Sequence, residues 1–417
     1  MKKLSASNLV SLLDSYVTVS SSLSSDETLH KIMDEAAALL NAEAASIFLV
    51  DEAGKLLYLK IATNMSEEER KDIVVPFGKG IVGYVAETGQ LVNTKDTKDD
   101  KRFYDNIDKK TGMKTTSCLT VPLIIENRII GAAQVLNKKK HKFFDSEDEM
   151  LLTEFARLAS ITLDKALMHE QIVQMEKIET DLEIASHIQN GLLPSSMLTV
   201  KDYEFRGFYK PAKYVSGDYF DYFKIADNEI FFTIGDVTGK GAHASLLMAS
   251  VEAFLSASFE YKHSLTDVVF KLNNFFSRKT PDGIFVTMFF GILNTEAREL
   301  TYINAGHTAP VIVKPSGEIK LLEATDVVLG VMENWKYEVS FASVKPEDFL
   351  FAYTDGITEA QNINGELFGI ERLLAILKRN TNSPLNLLSE LPEEIKKHSH
   401  SAQQTDDISF VLISGKE

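Results

Sequence analysis

Four short acidic clusters hold the residues most able to do chemistry. The central one closes the run Ile230 to Ile234, an apolar, β-prone stretch that reads as a buried strand and stops at Gly235-Asp236. A carboxylate straight after a buried strand is costly unless something pairs with it. Asp236 is therefore either an ordinary turn residue or a metal carboxylate. Upstream stands Ser216-Gly217-Asp218-Tyr219-Phe220-Asp221. Downstream, Phe349 to Tyr353 ends at Thr354-Asp355-Gly356, and Thr405-Asp406-Asp407-Ile408-Ser409 precedes the apolar Phe410 to Ile413. Four acidic strand ends can converge on one point. Their mutual repulsion then calls for cations, and an all-oxygen set without His/Cys spacing suits Mg²⁺ or Mn²⁺.

The elements that must position these acids can be read locally. A glycine-rich turn, Gly239-Lys240-Gly241, leads from Asp236 into an apolar helix through Leu246, Leu247 and Met248. Phe285 to Leu293, Glu299 to Ala305 and Ala309 to Lys314 read as consecutive strands, with Asn304-Ala305-Gly306-His307 joining two of them. His307 either touches substrate or fixes that loop. Neither His307 nor His243 has metal-pair spacing.

The clusters GDYFD, GDVTGKG, NAGH, YTDGITEA and TDDIS, in that order, resemble the SpoIIE-type branch of the metal-dependent serine/threonine protein phosphatases. The resemblance covers about the last half of the chain. It implies an αββα sandwich of two antiparallel sheets with a binuclear metal site at one edge. It also implies direct hydrolysis without a covalent intermediate, two Mg²⁺ or Mn²⁺ ions bridged by Asp236 activating a water. Asp218, Asp236, Asp355 and Asp406 are then the carboxylates, with the carbonyl of Val237 as a further ligand. Asp407 in a strand would point the other way; Asp221 is a weaker candidate. The arginine that grips phosphate in eukaryotic relatives has no clear match, leaving Arg206, Lys210 and Lys213 as substitutes. The substrate implied is a phosphoprotein, an anti-sigma-factor antagonist by resemblance.

The first half is a second unit. Ser25-Asp26-Glu27 reads as a helix start, followed by strands at Ala45 to Asp51 and Leu56 to Ala62 and later at Val121 to Ile125 and Ile129 to Leu136. Between them, Gly80 to Gly89 is a glycine-rich start to a short helix whose free N–H groups could hold an anion, or simply a cap. NTKDTKDDKRFY, DKKTGMKT and VPLIIENRIIGAAQVLNK resemble a GAF domain, specifically the cyclic-nucleotide-binding GAF domains of phosphodiesterases and adenylyl cyclases. Their NK…F-x-x-x-D-E signature stands here as Asn137-Lys138, Phe144, Asp148-Glu149. Lys138 and the acids either form an internal ion pair or meet ligand. The resemblance assigns Ser46, Ile81, Val82, Tyr104, Asp108, Thr111, Thr115 and Gln134 to a pocket for cAMP or cGMP. Ala62-Thr63 departs from the family's base-reading acid, which leaves the choice of base open. Cys118 reads as core.

The expected organisation is α+β with two domains. An N-terminal helix spans residues 1–24, and a GAF domain, an antiparallel sheet with flanking helices, spans 25–164. A helical linker follows at 165–194, then the αββα phosphatase domain at 195–417. In the linker, Met168, Ile172, Met175, Ile178, Leu182, Ala185, Ile188 and Leu192 recur at close to 3.5 residues, the seam of a parallel homodimeric coiled coil or one face of a packed helix.

A length of 417 residues suits two or three domains, and a net charge of −16 argues against nonspecific nucleic-acid binding. One cysteine excludes an internal disulfide framework. No apolar run reads as approaching the ~18 residues of a membrane helix, and the N-terminal stretch is too broken for a signal peptide, so a cytoplasmic protein is expected. A ligand-gated phosphatase is the function these features favour. The alternatives are a degenerate sensor that acts through dimerisation and a cyclase or histidine kinase behind a GAF sensor. The later TDG and DD motifs have no place in a cyclase.

Overall fold

A computed structural model describes residues 25–416 except 52, 55, 141–142, 240, 261–263, 281–282 and 401, and not the side chains of Ser25, Thr111 and Glu260. The helix expected at 1–24 lies outside the described residues.

The first part runs α1 (Ser25–Leu39), β1 (Ala42–Val50), β2 (Leu56–Ala62), α2 (Glu67–Arg70), β3 (Val74–Pro76), α3 (Gly80–Thr88), β4 (Val92–Thr94), α4 (Asn106–Thr111), β5 (Cys118–Ile125) and β6 (Arg128–Lys138). Its six strands form one antiparallel sheet in the order β3-β2-β1-β6-β5-β4. Strand alternation gives each face its own core. Ala45, Ile47 and Leu49 of β1 pack with Leu29, Ile32 and Met33 of α1 and with Leu152 and Phe155 of the next helix, α5 (Ser146–Asn190). Phe48 on the other face packs with Leu59, Ile81, Val85 and Cys118.

The second part continues with β7 (Leu198–Val200), β8 (Tyr203–Lys210), β9 (Tyr219–Ala226), β10 (Glu229–Val237), α6 (Ala242–Glu260), α7 (Leu265–Lys279), β11 (Val286–Asn294), β12 (Glu299–Ala305), β13 (Val311–Val313), β14 (Ile319–Leu321), β15 (Ser340–Ser343), β16 (Phe349–Tyr353), α8 (Gly369–Arg379), α9 (Leu387–Ser399) and β17 (Ile408–Gly415). Two antiparallel sheets form, β15-β12-β11-β10-β9 and β14-β13-β16-β17-β8-β7. Leu350, Ala352, Val411 and Ile413 share one core with Phe232 and Phe289, whereas Phe349, Phe351 and Phe410 pack with Leu373 and Leu391 of α8 and α9. Phe231 packs at a tilt against Phe259 of α6 while its neighbour Phe232 meets Phe205 of the opposite sheet. The result is the expected αββα sandwich.

Two expectations change. Asp236 is not beyond the strand: β10 continues through it, and it pairs with Thr287. The stretch Ala242–Phe259 does reach the length and mean hydropathy (1.2) of a membrane span, contrary to the sequence reading. Ala244, Met248, Val251 and Leu255 of that helix are fully buried in the sandwich core, whereas Leu246 is 70% exposed.

The described chain divides into two compact units at Glu176/Lys177, inside the unbroken 45-residue helix α5. Along that helix Met168, Ile172, Met175, Ile178 and Ile188 are all more than half exposed. Such a row costs solvation unless something covers it.

The Asn137-Lys138 signature resolves as an internal clamp. The Lys138 ammonium pairs with the Asp148 carboxylate, with side chains 7% and 10% exposed. Asp148 also accepts the Asp145 N–H at 2.7 Å, tying β6 to the start of α5. Breaking a buried pair strands one charge, so Lys138→Ala should cost about 3–5 kcal/mol, while Lys138→Met with Asp148→Asn should cost far less. Urea denaturation of the first unit's transition measures both; equal losses would refute the clamp.

Candidate metal and ligand sites

The register of the two sheets delivers the acids to one edge of the sandwich. Gly235 pairs with Tyr219, so Asp236 and Asp218 come next on the ladder and share the face that Phe232, Ile234 and Phe220 turn toward the opposite sheet. On the opposite sheet Thr354 and Ser409 follow the same parity as Ala352 and Val411, and the Thr354 N–H donates to the Ser409 carbonyl at 3.0 Å. Their hydroxyls both donate to Asp218 Oδ2, at 2.8 Å from Thr354 and 2.5 Å from Ser409. Asp218 itself is 3% exposed. Burial, then the neighbouring Asp236 charge, push its carboxyl well above the usual range; Asp407 adds to this, and the two hydroxyls oppose it.

Glycine makes the approach possible. A Cβ on Gly217 would stand 2.8 Å from the Val237 carbonyl oxygen and 3.1 Å from Asp236 Oδ1, so its absence leaves those two oxygens a small recess beside Asp218. A Cβ on Gly356 would lie 1.8 Å from the Asp407 carbonyl oxygen, so the loop carrying Asp355 can abut the loop before β17 only as glycine. Half-buried Asp355 follows Thr354 directly.

The two adjacent acids of the last cluster part ways. β17 begins only at Ile408, so strand alternation does not govern them. Asp407 turns toward the centre, accepting the Ala212 N–H at 2.7 Å and the Gly217 N–H at 3.3 Å. Asp406 accepts the Asp407 N–H and lines an adjoining cavity with Gly356 and Lys210. Asp221 leaves the cluster: it lies on the opposite face of β9, accepts from the Tyr219 hydroxyl and feels Glu252 of α6. Arg206 is held by Glu204 at 3.0 Å.

The donors are carboxylate and carbonyl oxygens around a recess, with a buried carboxylate raised by its neighbours. That chemistry fits a hard divalent cation. Among the described residues no three His, Cys, Asp or Glu side chains are drawn into a closed cage. Asp218 is held instead by the two hydroxyls.

Sequence reasoning missed the polar frame around the acids. Gln189 of α5, 4% exposed, donates to the Ser216 carbonyl at 2.7 Å and accepts the Ser216 N–H at 3.0 Å, while Ser216 Oγ accepts the Asp218 N–H at 2.9 Å. The helix end is thereby fastened to the loop that carries Asp218. His307, 4% exposed, meets Thr287 Oγ1 through Nδ1 at 3.0 Å, and its backbone N–H donates to Asn304 at 2.8 Å. Burial lowers its pKa to about 4, so it is a neutral loop anchor and not a substrate cation.

In the first unit two adjoining clefts share Ile107, Asp108, Gln134 and Leu136. Ile81, Val82, Tyr104 and Thr115 line the first and Ser46 the second. The parity of β1 and β6 sends Ser46 and Gln134 to this face, away from α1 and α5. The Thr111 side chain lies outside the described residues. First-turn N–H groups of α3, including those of Ile81 and Val82, have no partner within the helix. Ser46 Oγ is buried without a partner. Asp108 is occupied, accepting from both Thr115 N–H and Thr115 Oγ1 at 2.7 Å. Burial raises the Cys118 thiol to about 12, so it is an inert wall residue.

Because folding raises the Asp218 pKa above its ordinary 3.8, its contribution favours the fold at low pH and is lost as pH rises through the shifted value. In chelator, Asp218→Asn should stabilise the second unit by on the order of 1–4 kcal/mol at about pH 8, and much less near pH 4. Thermal melts at the two pH values test this; a gain independent of pH would contradict it.

Known proteins give the same two parts. Residues 226–416 match the family model described as Stage II sporulation protein E (SpoIIE), and residues 24–163 match the GAF domain. Protein IcfG of Synechocystis sp. is 28% identical over 260 residues, 56% of this chain and 41% of its own length. Phosphoserine phosphatase RsbU of Bacillus subtilis is 25% identical over 242 residues, 58% of this chain and 72% of RsbU. The probable 3',5'-cyclic phosphodiesterase pde-5 of Caenorhabditis elegans is 32% identical over 175 residues, 40% of this chain but only 24% of that protein. The solved SiaA-PP2C domain of Pseudomonas aeruginosa shares the fold, with 18% identity and a TM-score of 0.51 over 58% of this chain and 99% of that one. The chain joins a GAF domain to a SpoIIE-type phosphatase domain.

Proposed function

We propose that the protein is a serine/threonine protein phosphatase whose activity is set by a cyclic nucleotide, cAMP or cGMP, at the GAF domain. The observation that carries the reading is the buried Asp218 carboxylate, crowded by Asp236 beside an oxygen-lined recess. Such a centre is costly until a cation compensates it. Asp218, Asp236, Asp355, Asp406 and the Val237 carbonyl would hold two Mg²⁺ or Mn²⁺ ions, with Asp407 oriented to assist. Bound ions of this kind supply a nucleophilic water at neutral pH and neutralise phosphoryl charge. The chain's own part is to hold the carboxylates in place. Thr354 and Ser409 aim Asp218, and Gly217 and Gly356 keep the approach open. The relationship to RsbU supports a phosphoserine or phosphothreonine protein as substrate, an anti-sigma-factor antagonist being the proposed partner, in the cytoplasm.

The test is hydrolysis of para-nitrophenyl phosphate by the full chain with Mn²⁺. Asp236→Asn and Asp355→Asn should each lose about 10²-fold or more in turnover, since each removes a charge that compensates the ions. Near-full Mn²⁺-dependent turnover in either variant would sink the assignment. Saturating cAMP or cGMP should change the wild-type rate by a factor of roughly 5–150 if the coupling is of ordinary size. Gln189→Ala should blunt that response by releasing the Asp218 loop from α5. Tight nucleotide binding with no change in rate would refute the gating.

The exposed row on α5 supports a parallel homodimer through that helix, a second copy being the occupant with the same periodic seam. Ile172→Lys with Leu182→Lys would bury charge in such a seam and should yield a monomer by sedimentation. A wild type already monomeric at micromolar concentration would end the proposal.

A further inference from the structure

Beside the acidic centre lies an open cleft that the reading above leaves unused. Gly356 and Asp406 belong to both, so the cavity opens where the acidic loops end. Half-buried Phe208, Ala360 and Pro392 supply apolar surface, and Lys210 and Lys396 also line it. One wall is braced: Gln404 Nε2 donates to the Lys210 carbonyl at 3.1 Å and to the Asp406 carbonyl at 2.8 Å, which fixes the loop before β17 against the end of β8. Phe208 stacks on Phe410 with ring centroids 5.0 Å apart, so the apolar part is rigid.

We propose that this cavity seats the substrate residues flanking the phosphoserine or phosphothreonine, and that it selects an apolar residue beside an acidic one. The inference rests on the phosphatase reading and adds what the protein recognises around the phosphate. An apolar side chain removes the half-buried Phe208, Ala360 and Pro392 from water. The acidic neighbour meets the two lysines. Lys396 is 71% exposed and touches Glu393 only at 4.0 Å, so its charge remains available to a partner. On a chain of net charge −16, a pair of lysines here counters the repulsion an acidic segment would otherwise meet. Lys396 also offsets the partial negative charge at the C-terminal end of α9, which borders the cavity. A basic segment would face both lysines and lose on both counts.

The experiment uses the full chain with Mn²⁺ and three synthetic phosphoserine peptides, flanked by Leu-Glu, Leu-Lys or Gly-Ser. The Leu-Glu peptide should have the highest kcat/KM, about fivefold above Leu-Lys as expected for exposed charge pairs, with most of the difference in KM. Lys396→Glu should invert the order of the two leucine peptides, and Lys210→Glu should shift it the same way. Inversion is a result that a merely structural role cannot give, and both lysines are at the surface, where the fold tolerates exchange. The same order and ratio in the wild type and both variants would overturn the proposal. So would turnover of para-nitrophenyl phosphate with none of the three peptides cleaved. Absence of para-nitrophenyl phosphate turnover would instead remove the phosphatase reading, and this inference with it.

Discussion

A carboxylate buried between two sheets is the constraint on which the second domain depends. Asp218 comes from one sheet, and both hydroxyls that hold it come from the other. A buried charge without partners costs far more than a hydrogen bond returns. The sandwich must therefore keep its edge in register, because Thr354 and Ser409 reach Oδ2 only if these ends of β16 and β17 lie level with those of β9 and β10. The apolar interior does that alignment. Phe205, Phe232 and Phe289 fill the space between the sheets and set their separation.

The same alternation rule works in both domains. A strand presents successive side chains to opposite faces, so one face can be spent on packing while the other carries function. In the phosphatase domain the inward face of β9 and β10 runs from Phe220, Phe232 and Ile234 out to Asp218 and Asp236. In the GAF domain, β1 gives Ala45, Ile47 and Leu49 to the helices and Ser46 to the cavities. Gln134 of β6 follows the same rule and is steadied by the Thr120 hydroxyl at 2.8 Å.

The polar contacts outside the acids distribute order unevenly. Gln189 makes a two-way amide link from the helix to the Ser216 loop, so the position of Asp218 is tied to the last turn of α5. His307 and Asn304 tie down the loop after β12. Asp407 supports the backbone of Ala212 and Gly217. The Gln189 link joins a segment that carries a proposed ligand to one that carries none, which lets the helix bias the centre without touching substrate.

The sequence by itself determined the kinds of element and the chemistry they bring. Apolar runs ending in acid marked the strands; the glycines from Gly80 to Gly89 marked a helix start; the spacing of Asn137, Lys138 and the following acids offered the clamp as one of two readings. These are local properties, fixed by backbone sterics and by the cost of burying charge. Direction and partnership were decided only in three dimensions. Adjacent residues Asp406 and Asp407 separate because β17 starts one residue after them, and no local signal sets that start. Asp221 turns away from Asp218 because β9 is already a strand there, paired with Thr233. Asp236 lies within β10 because Thr287 is available to pair with it. One face of the apolar helix Ala242–Glu260, with Ala244, Met248, Val251 and Leu255, finds its partner only once the sandwich core is present. Gln189 reads as one more polar residue on a long helix until Ser216, far along the chain, closes on it. Register and side-chain direction are set by pairing over long sequence separations, where contacts win by summed burial and not by any single residue's preference.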